Sequence, residues 1–200
     1  MWGRPFMGTD VYHVIAWFIL YSILGWFVES VYMSFCNHKI TNRGFAKGPF
    51  CPIYGFGFVG ALFILKPISH QFVLLYIAGA VLATLFEFIV ARLMIRFLGE
   101  VWWDYNDKPF NYKGIICLES TIAWGFYTLF LFGFLQNIVV HISDRVAMPV
   151  GIRICKIVLV VFSLDFICQL MRALKRNYSE KYLEQVEKVK DRYLSFRTKF

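Results

Sequence analysis

The stretch that decides the fold is VYHVIAWFILYSILGWFVESVYMSF, Val11 to Phe35, where Glu29 is the one charged side chain. At 1.5 Å per residue a helix over it is about 38 Å long, longer than the ~30 Å hydrocarbon core of a bilayer. No small-residue cleavage site follows, so the stretch reads as a membrane helix, not a signal peptide. The rest of the chain agrees. Of 200 residues, 58% are hydrophobic and 22 are Phe, and the charged fraction is 17%, against roughly 25% in soluble domains. One soluble core of this length cannot hide so much apolar surface. An ordinary soluble enzyme, a disordered chain and a disulfide-stapled secreted domain are thereby excluded. The five cysteines are odd in number and include no CxxC, so they read as small buried thiols.

Outward from Val11–Phe35, the same criterion predicts further spans at about 53–65, 72–97, 118–140 and 150–171. The expected fold is all-α: a polytopic transmembrane helical bundle of about five spans. The second segment is short, and a Gly/Pro-rich run, GPFCPIYGFGFVG, leads into it. The fifth carries Arg153, Lys156 and Asp165. Beyond it, residues 172–200 hold nine Lys/Arg against four Asp/Glu. Tyr182, Leu183, Val186, Val189, Tyr193 and Leu194 recur there at helical spacing, predicting an amphipathic cytoplasmic helix. Such a helix suits either a lipid surface or a partner protein. The expected division is a membrane domain over 1–173 and a basic helix over 174–200.

Lysine and arginine set the expected orientation in the cell membrane. With five spans and the basic tail inside, the N-terminus lies outside. Lys39, Arg43, Lys47, Lys108 and Lys113 then fall inside, and Arg4, Lys66, Arg145 and Arg153 outside. This topology accounts for the positive charge without nucleic acid.

The residues with chemical potential gather in two loops on that inner side. Loop one reads NHKITNRGFAKGPFCPIYGFG from Asn37, and loop two GEVWWDYNDKPFNYKGIICLES from Gly99. Each follows a helix bearing a glutamate, Glu29 or Glu87. Each then runs through Asn, a basic residue, Gly and Cys: Asn42, Arg43, Gly44 and Cys51, then Asn111, Lys113, Gly114 and Cys117. The order suggests an internal duplication, although Glu29 to Cys51 and Glu87 to Cys117 differ in length. Interrupted segments in corresponding halves mark binding sites in carriers. Ser22, Gly25, Glu29 and Tyr32 share one helix face, as do Gly79, Ala83, Glu87 and Ala91. Small residues admit a neighbouring helix, so these two faces are expected to pack together. Intramembrane carboxylates need partners; Arg43, Arg92 and Arg96 are the nearest candidates. Asp165 and Gln169 share a face four residues apart. Asp104, Asp107 and Asn111 suggest a polar pocket with Asn42 and Arg43. His38, Cys51 and Cys117 have metal-ligand chemistry but not the spacing of a zinc motif. No GxxxxGK[ST], HExxH or GxSxG occurs. No catalytic residue, metal site or cofactor is assigned.

Three motifs carry a family likeness: GWFVES at Gly25, NRGFAKGPFCPIYGFG at Asn42, and WWDYNDKPFNYKGIICLESTIAWG at Trp102. They resemble the ABC-transporter permease family described as type IV, small membrane proteins mainly of Gram-positive bacteria. The resemblance covers about 11–125. It implies a membrane subunit working with a separate ATP-binding subunit, itself paired or oligomeric. Glu29, Asn42, Arg43, Glu87, Asp104, Tyr105 and Asn111 look like marked positions of the family, and in a transporter they are the substrate-binding or gating candidates. The resemblance marks Gly44, Cys51, Pro52, Tyr54, Gly55 and Gly114 as structural positions. Two alternatives stand beside the transporter: a membrane enzyme acting on a lipid or headgroup at the polar cluster, and a non-catalytic protein binding a partner through its tail.

Overall fold

A computed structural model describes residues 2–42 and 44–197, with side chains through residue 179 and at Leu183 and Glu187. Arg43 and most side chains of the apolar series Tyr182–Leu194 lie outside the described residues. A two-residue hairpin, β1 (Pro5–Phe6) and β2 (Thr9–Asp10), opens the chain. Six helices follow: α1 (Val11–Cys36), α2 (Pro52–Leu65), α3 (Phe72–Leu98), α4 (Leu118–Phe130), α5 (Gln136–Asp144) and α6 (Met148–Arg197). A 3-10 turn (Lys66–Ile68) extends α2, and a π turn (Leu131–Leu135) joins α4 to α5.

Each start has a local cause. The Asp10 side chain accepts the His13 N–H and caps α1. Pro52 sits in the first turn of α2, where its missing N–H costs nothing. Cys117 caps α4 reciprocally: its Sγ accepts the Ser120 N–H while the Ser120 hydroxyl accepts the Cys117 N–H, each at 3.4 Å. Gly99, at φ 84°, ends α3 in the left-handed region.

Among the described residues, four helical segments are long and apolar enough to cross a membrane: Val11–Cys36, Phe72–Leu98, Leu118–Asp144 and Met148–Ser179. The protein is thus an all-α, polytopic bundle. Pro52–Ile68 is shorter. The reason is that loop one does not stay at the bundle end. The Cys51 N–H donates to the Ser22 carbonyl at 2.9 Å, roughly 21 Å back along α1 from Cys36 at 1.5 Å per residue. The chain therefore re-enters the bundle before α2 begins, and α2 needs to cover only the remaining depth. Its far end meets the N-terminal hairpin, where Phe63 packs edge-on against Phe6 at 5.5 Å.

The bundle is two tight hairpins, α1–α2 and α3–α4, with α2 also against α3 and α6 against α1 and α3. Glycines permit the close approach. A Cβ on Gly25 would meet the Tyr54 ring at 2.2 Å, and one on Gly79 would meet the Thr128 hydroxyl at 2.3 Å. The expectation that the Glu29 and Glu87 faces pack on each other is corrected here: Gly25 receives α2 and Gly79 receives α4. A short connection favours the next helix as neighbour.

One core cluster gathers Tyr12, Ala16, Ile19, Phe50 and Cys155, where α1, loop one and α6 meet. A second gathers Tyr21, Leu62, Leu131 and Val139 around the π turn. That turn rotates Gln136 to accept the Tyr21 hydroxyl. Exposed side chains along α3 and α6, such as Val81, Leu85, Ile157 and Val161, are apolar, as a lipid-facing surface requires. α6 passes residue 173 without a break; its 50 residues make a rod of about 75 Å.

Candidate functional site

Non-helical backbone at membrane depth is tolerated where protein satisfies its polar groups. Loop one meets that demand residue by residue. The Thr41 N–H donates to the Ser34 hydroxyl at 2.9 Å, turning the chain back around the end of α1. Asn42 is a two-sided brace: its Oδ1 accepts the Trp26 Nε1–H at 2.6 Å and its Nδ2 donates to the Lys47 carbonyl at 2.9 Å. The Gly48 N–H donates to the Asp165 carboxylate at 2.9 Å, and Gln169 Nε2 donates to the same carboxylate at 3.2 Å. The shared Asp165–Gln169 face thus pins the re-entrant chain to α6. Phe50 stacks on Phe162 at 4.0 Å. Phe45 stands between Trp102 of loop two and Phe166 of α6, at 5.2 and 5.0 Å.

Loop two folds back in the same sense. The Tyr105 N–H donates to the Gly114 carbonyl at 2.9 Å, and Trp103 Nε1 to the Ile115 carbonyl at 2.8 Å. Asn111 bonds the Asn106 and Lys108 carbonyls and accepts the Gly114 N–H. Asp104 accepts from the backbone and side chain of Asn106. The described contacts of Asp104 and Asn111 therefore shape loop two. Lys108 reaches Glu119 at 2.8 Å.

Two carboxylates occupy the inner ends of these loops. The Tyr54 hydroxyl donates to Glu29 Oε1 at 2.7 Å. Glu87 is 6% exposed. Its Oε1 accepts the Tyr105 hydroxyl at 3.0 Å and its Oε2 the Trp124 Nε1–H at 3.1 Å, with the Ser120 hydroxyl beside it. Among the described residues its partners are neutral donors, and neither Arg92 nor Arg96 bridges to it. Burial and the Glu87 carboxylate push the Tyr105 phenol above its ordinary range, so it stays a donor at neutral pH. One turn past Tyr54, α2 meets α3 beside Glu87: a Cβ on Gly57 would lie 3.3 Å from the Phe86 ring. The Glu29–Tyr54 and Glu87–Tyr105 contacts therefore form a polar seam where the two hairpins pack.

Of the sequence-marked residues, the fold pairs Glu29 with Tyr54 and Glu87 with Tyr105. It sets Asn42, Cys51 and Gly55 in the α1–α2 joint, and Asp104, Asn111 and Gly114 within loop two. Pro52 opens α2 and Gly44 packs near Trp26. Trp124 and Ser120 are contacts that sequence reasoning missed. Their signal was the spacing from the Cys117 cap, which turns both toward α3.

Fold and seam together define a multi-pass α-helical membrane protein with two loop-interrupted hairpins. Residues 16–170 match the family described as "Putative ABC-transporter type IV", and the chain belongs to that family. No curated protein and no solved structure matches it.

Proposed function

We propose that the chain is the membrane-embedded subunit of an ABC-type transporter whose substrate path runs between the two hairpins along Glu29, Tyr54, Tyr105 and Glu87. The seam is the observation that carries this reading. It joins the two halves where interrupted backbone meets two carboxylates, half-buried Glu29 and buried Glu87, the setting in which carriers hold polar cargo. Family membership supports it. Asn42, Asp104 and Asn111 act in this reading by holding the loops that gate the path, and Arg43 is a substrate-binding or gating candidate from the sequence.

A separate ATP-binding subunit docks at the loop end. There Arg176 pairs with Glu100, and Asn177 Nδ2 donates to the Phe97 carbonyl at 3.0 Å. A load on the tail therefore reaches loop two, which carries Tyr105. By the distribution of Lys and Arg, this end is cytoplasmic and the N-terminus outside. Residues 1–173 are then the membrane domain and 174–200 the cytoplasmic helix. The test is purification of the tagged full-length protein in mild detergent from its own cells, with mass spectrometry of what accompanies it. A stoichiometric ATP-binding subunit is expected, and its reproducible absence overturns the reading. With that partner in hand, Glu29→Gln and Arg43→Ala should reach the membrane yet abolish transport.

A further inference from the structure

Loop one leaves a cleft behind as it turns. Between the last turns of α1 and residues 39–42 lies a recess of about 510 Å³, inside the roughly 300–1,000 Å³ range of small-ligand sites. Its wall is Phe27, Val31 and Phe35, and its lip is Lys39, Ile40 and Thr41. Phe27 and Phe35 are exposed, and Ile40 is wholly so. The recess is open to the outside of the bundle, beside a helix long enough to cross a membrane.

We infer that this cleft is a site for one anionic phospholipid, with an acyl chain along Phe27, Val31 and Phe35 and the phosphate at Lys39. Three observations converge. The wall is continuous with the apolar surface that a bilayer must cover. Among the described residues of the lining the one ionisable group is Lys39, and loop one carries Lys39, Arg43 and Lys47 with no acidic residue from 37 to 51. Lys39 stands just beyond the end of α1, a helix long enough to cross a membrane, and a lysine past such an end can reach the headgroups. The α1 carbonyls that would repel an anion there are engaged: the Asn37, His38 and Lys39 N–H groups bond the Met33, Phe35 and Ser34 carbonyls. A fully exposed Ile40 at a polar loop tip makes sense when lipid covers it.

The test is native mass spectrometry of the full-length protein, released from vesicles of equal phosphatidylglycerol and phosphatidylcholine. One retained phosphatidylglycerol is expected, in preference to phosphatidylcholine. Lys39→Ala should lower that preference about fivefold, and Val31→Trp, which fills the wall, should remove the retained lipid without touching the charge. Lys113→Ala, in loop two, should change nothing. Millimolar glycerol phosphate should fail to displace the lipid, which separates a lipid site from a simple phosphate site. Equal retention of both lipids overturns the inference. So does an unaltered ratio in both cleft variants, an equal loss in Lys113→Ala, or displacement by glycerol phosphate.

Discussion

Glu87→Leu separates a carboxylate that holds the bundle together from one that merely resides in it. At 6% exposure water does not reach position 87. Leucine there strands two donors, the Tyr105 hydroxyl and the Trp124 N–H, which now bond at 3.0 and 3.1 Å. An orphaned buried donor costs about 1–3 kcal/mol, so the pair costs roughly 2–6 kcal/mol. Relief from burying a carboxylate offsets part of this, leaving about 2 kcal/mol. For a chain of this length that lowers the unfolding midpoint by about 4–8 °C. Glu87→Gln keeps one acceptor and should fall between. The assay follows from the cysteines: Cys51, Cys117 and Cys155 are buried, while Cys36 and Cys168 are exposed. With the exposed pair changed to Ser, a thiol-reactive dye reports unfolding directly. Adding Tyr105→Phe and Trp124→Phe to Glu87→Leu removes the stranded donors and should recover most of the loss. A Glu87→Leu protein as stable as its parent, or a triple variant no better than the single, refutes the reasoning.

Three further outcomes are expected. Gly79→Ala puts a Cβ 2.3–2.5 Å from the Thr128 side chain and should cost about 2 kcal/mol by overpacking. Thr128→Gly should relieve it, with a coupling of at least about 1 kcal/mol in a double-mutant cycle by the same dye assay. Tyr105 predicts an alkaline limb: its phenol titrates above 10.0 when folded and near 10.0 when unfolded, so the folded state binds more protons above that pH. Stability should then fall as pH rises past about 10, by up to ~1.4 kcal/mol per unit, and Tyr105→Phe should flatten the fall measured by circular dichroism. Gly99→Ala forces a side chain into φ 84° with Asn177 Oδ1 2.9 Å away. It should cost about 1–2 kcal/mol and speed proteolysis of loop two, because the displaced Asn177 side chain is the one that ties α6 to the Phe97 carbonyl.

The helices were legible because hydropathy and length govern them. The spans expected at 11–35, 53–65, 72–97 and 150–171 each lie inside one observed helix, 118–140 lies inside the helical segment Leu118–Asp144, and the starts at 11, 72 and 118 coincide. What hydropathy cannot express is depth. The short second segment was visible, but that GPFC re-enters to the level of Ser22 depends on hydrogen bonds from distant residues, Asp165 above all. Asp165 and Gln169 were seen as a pair without a role. Their partner is a backbone N–H, which no side-chain pattern announces. Charge matching misled at Glu87 for a related reason. Arg92 and Arg96 follow it on the same helix, while its actual donors arrive from loop two and α4. Pairing by sequence proximity favours cations; the fold supplied a phenol and an indole.

The two hairpins also show why the duplication signal is faint in the sequence. In both, a glutamate-bearing helix is followed by a loop that folds back, a buried cysteine at the cap position, and a helix packed through glycine. In the first, Tyr54, three residues past Cys51, donates to Glu29. In the second, the residue three past Cys117 is Ser120, whose hydroxyl stands beside Glu87, and Tyr105 and Trp124 complete the shell. A longer loop two compensates for the shorter side chain by bringing its own phenol inward. The same carboxylate–hydroxyl contact is thus built from different residues at different spacings. Alignment of one half on the other blurs it, and geometry restores it. The asymmetry has a consequence for the proposed path. Tyr54, which donates to Glu29, is fixed at the start of a helix, whereas a principal donor to Glu87 rides on a loop that Arg176 and Asn177 of α6 tie at Glu100 and Phe97. Loop one is held to α6 as well, by Gly48–Asp165 and Phe50–Phe162, so movement of α6 acts on Glu29 through a helix start and on Glu87 through a loop.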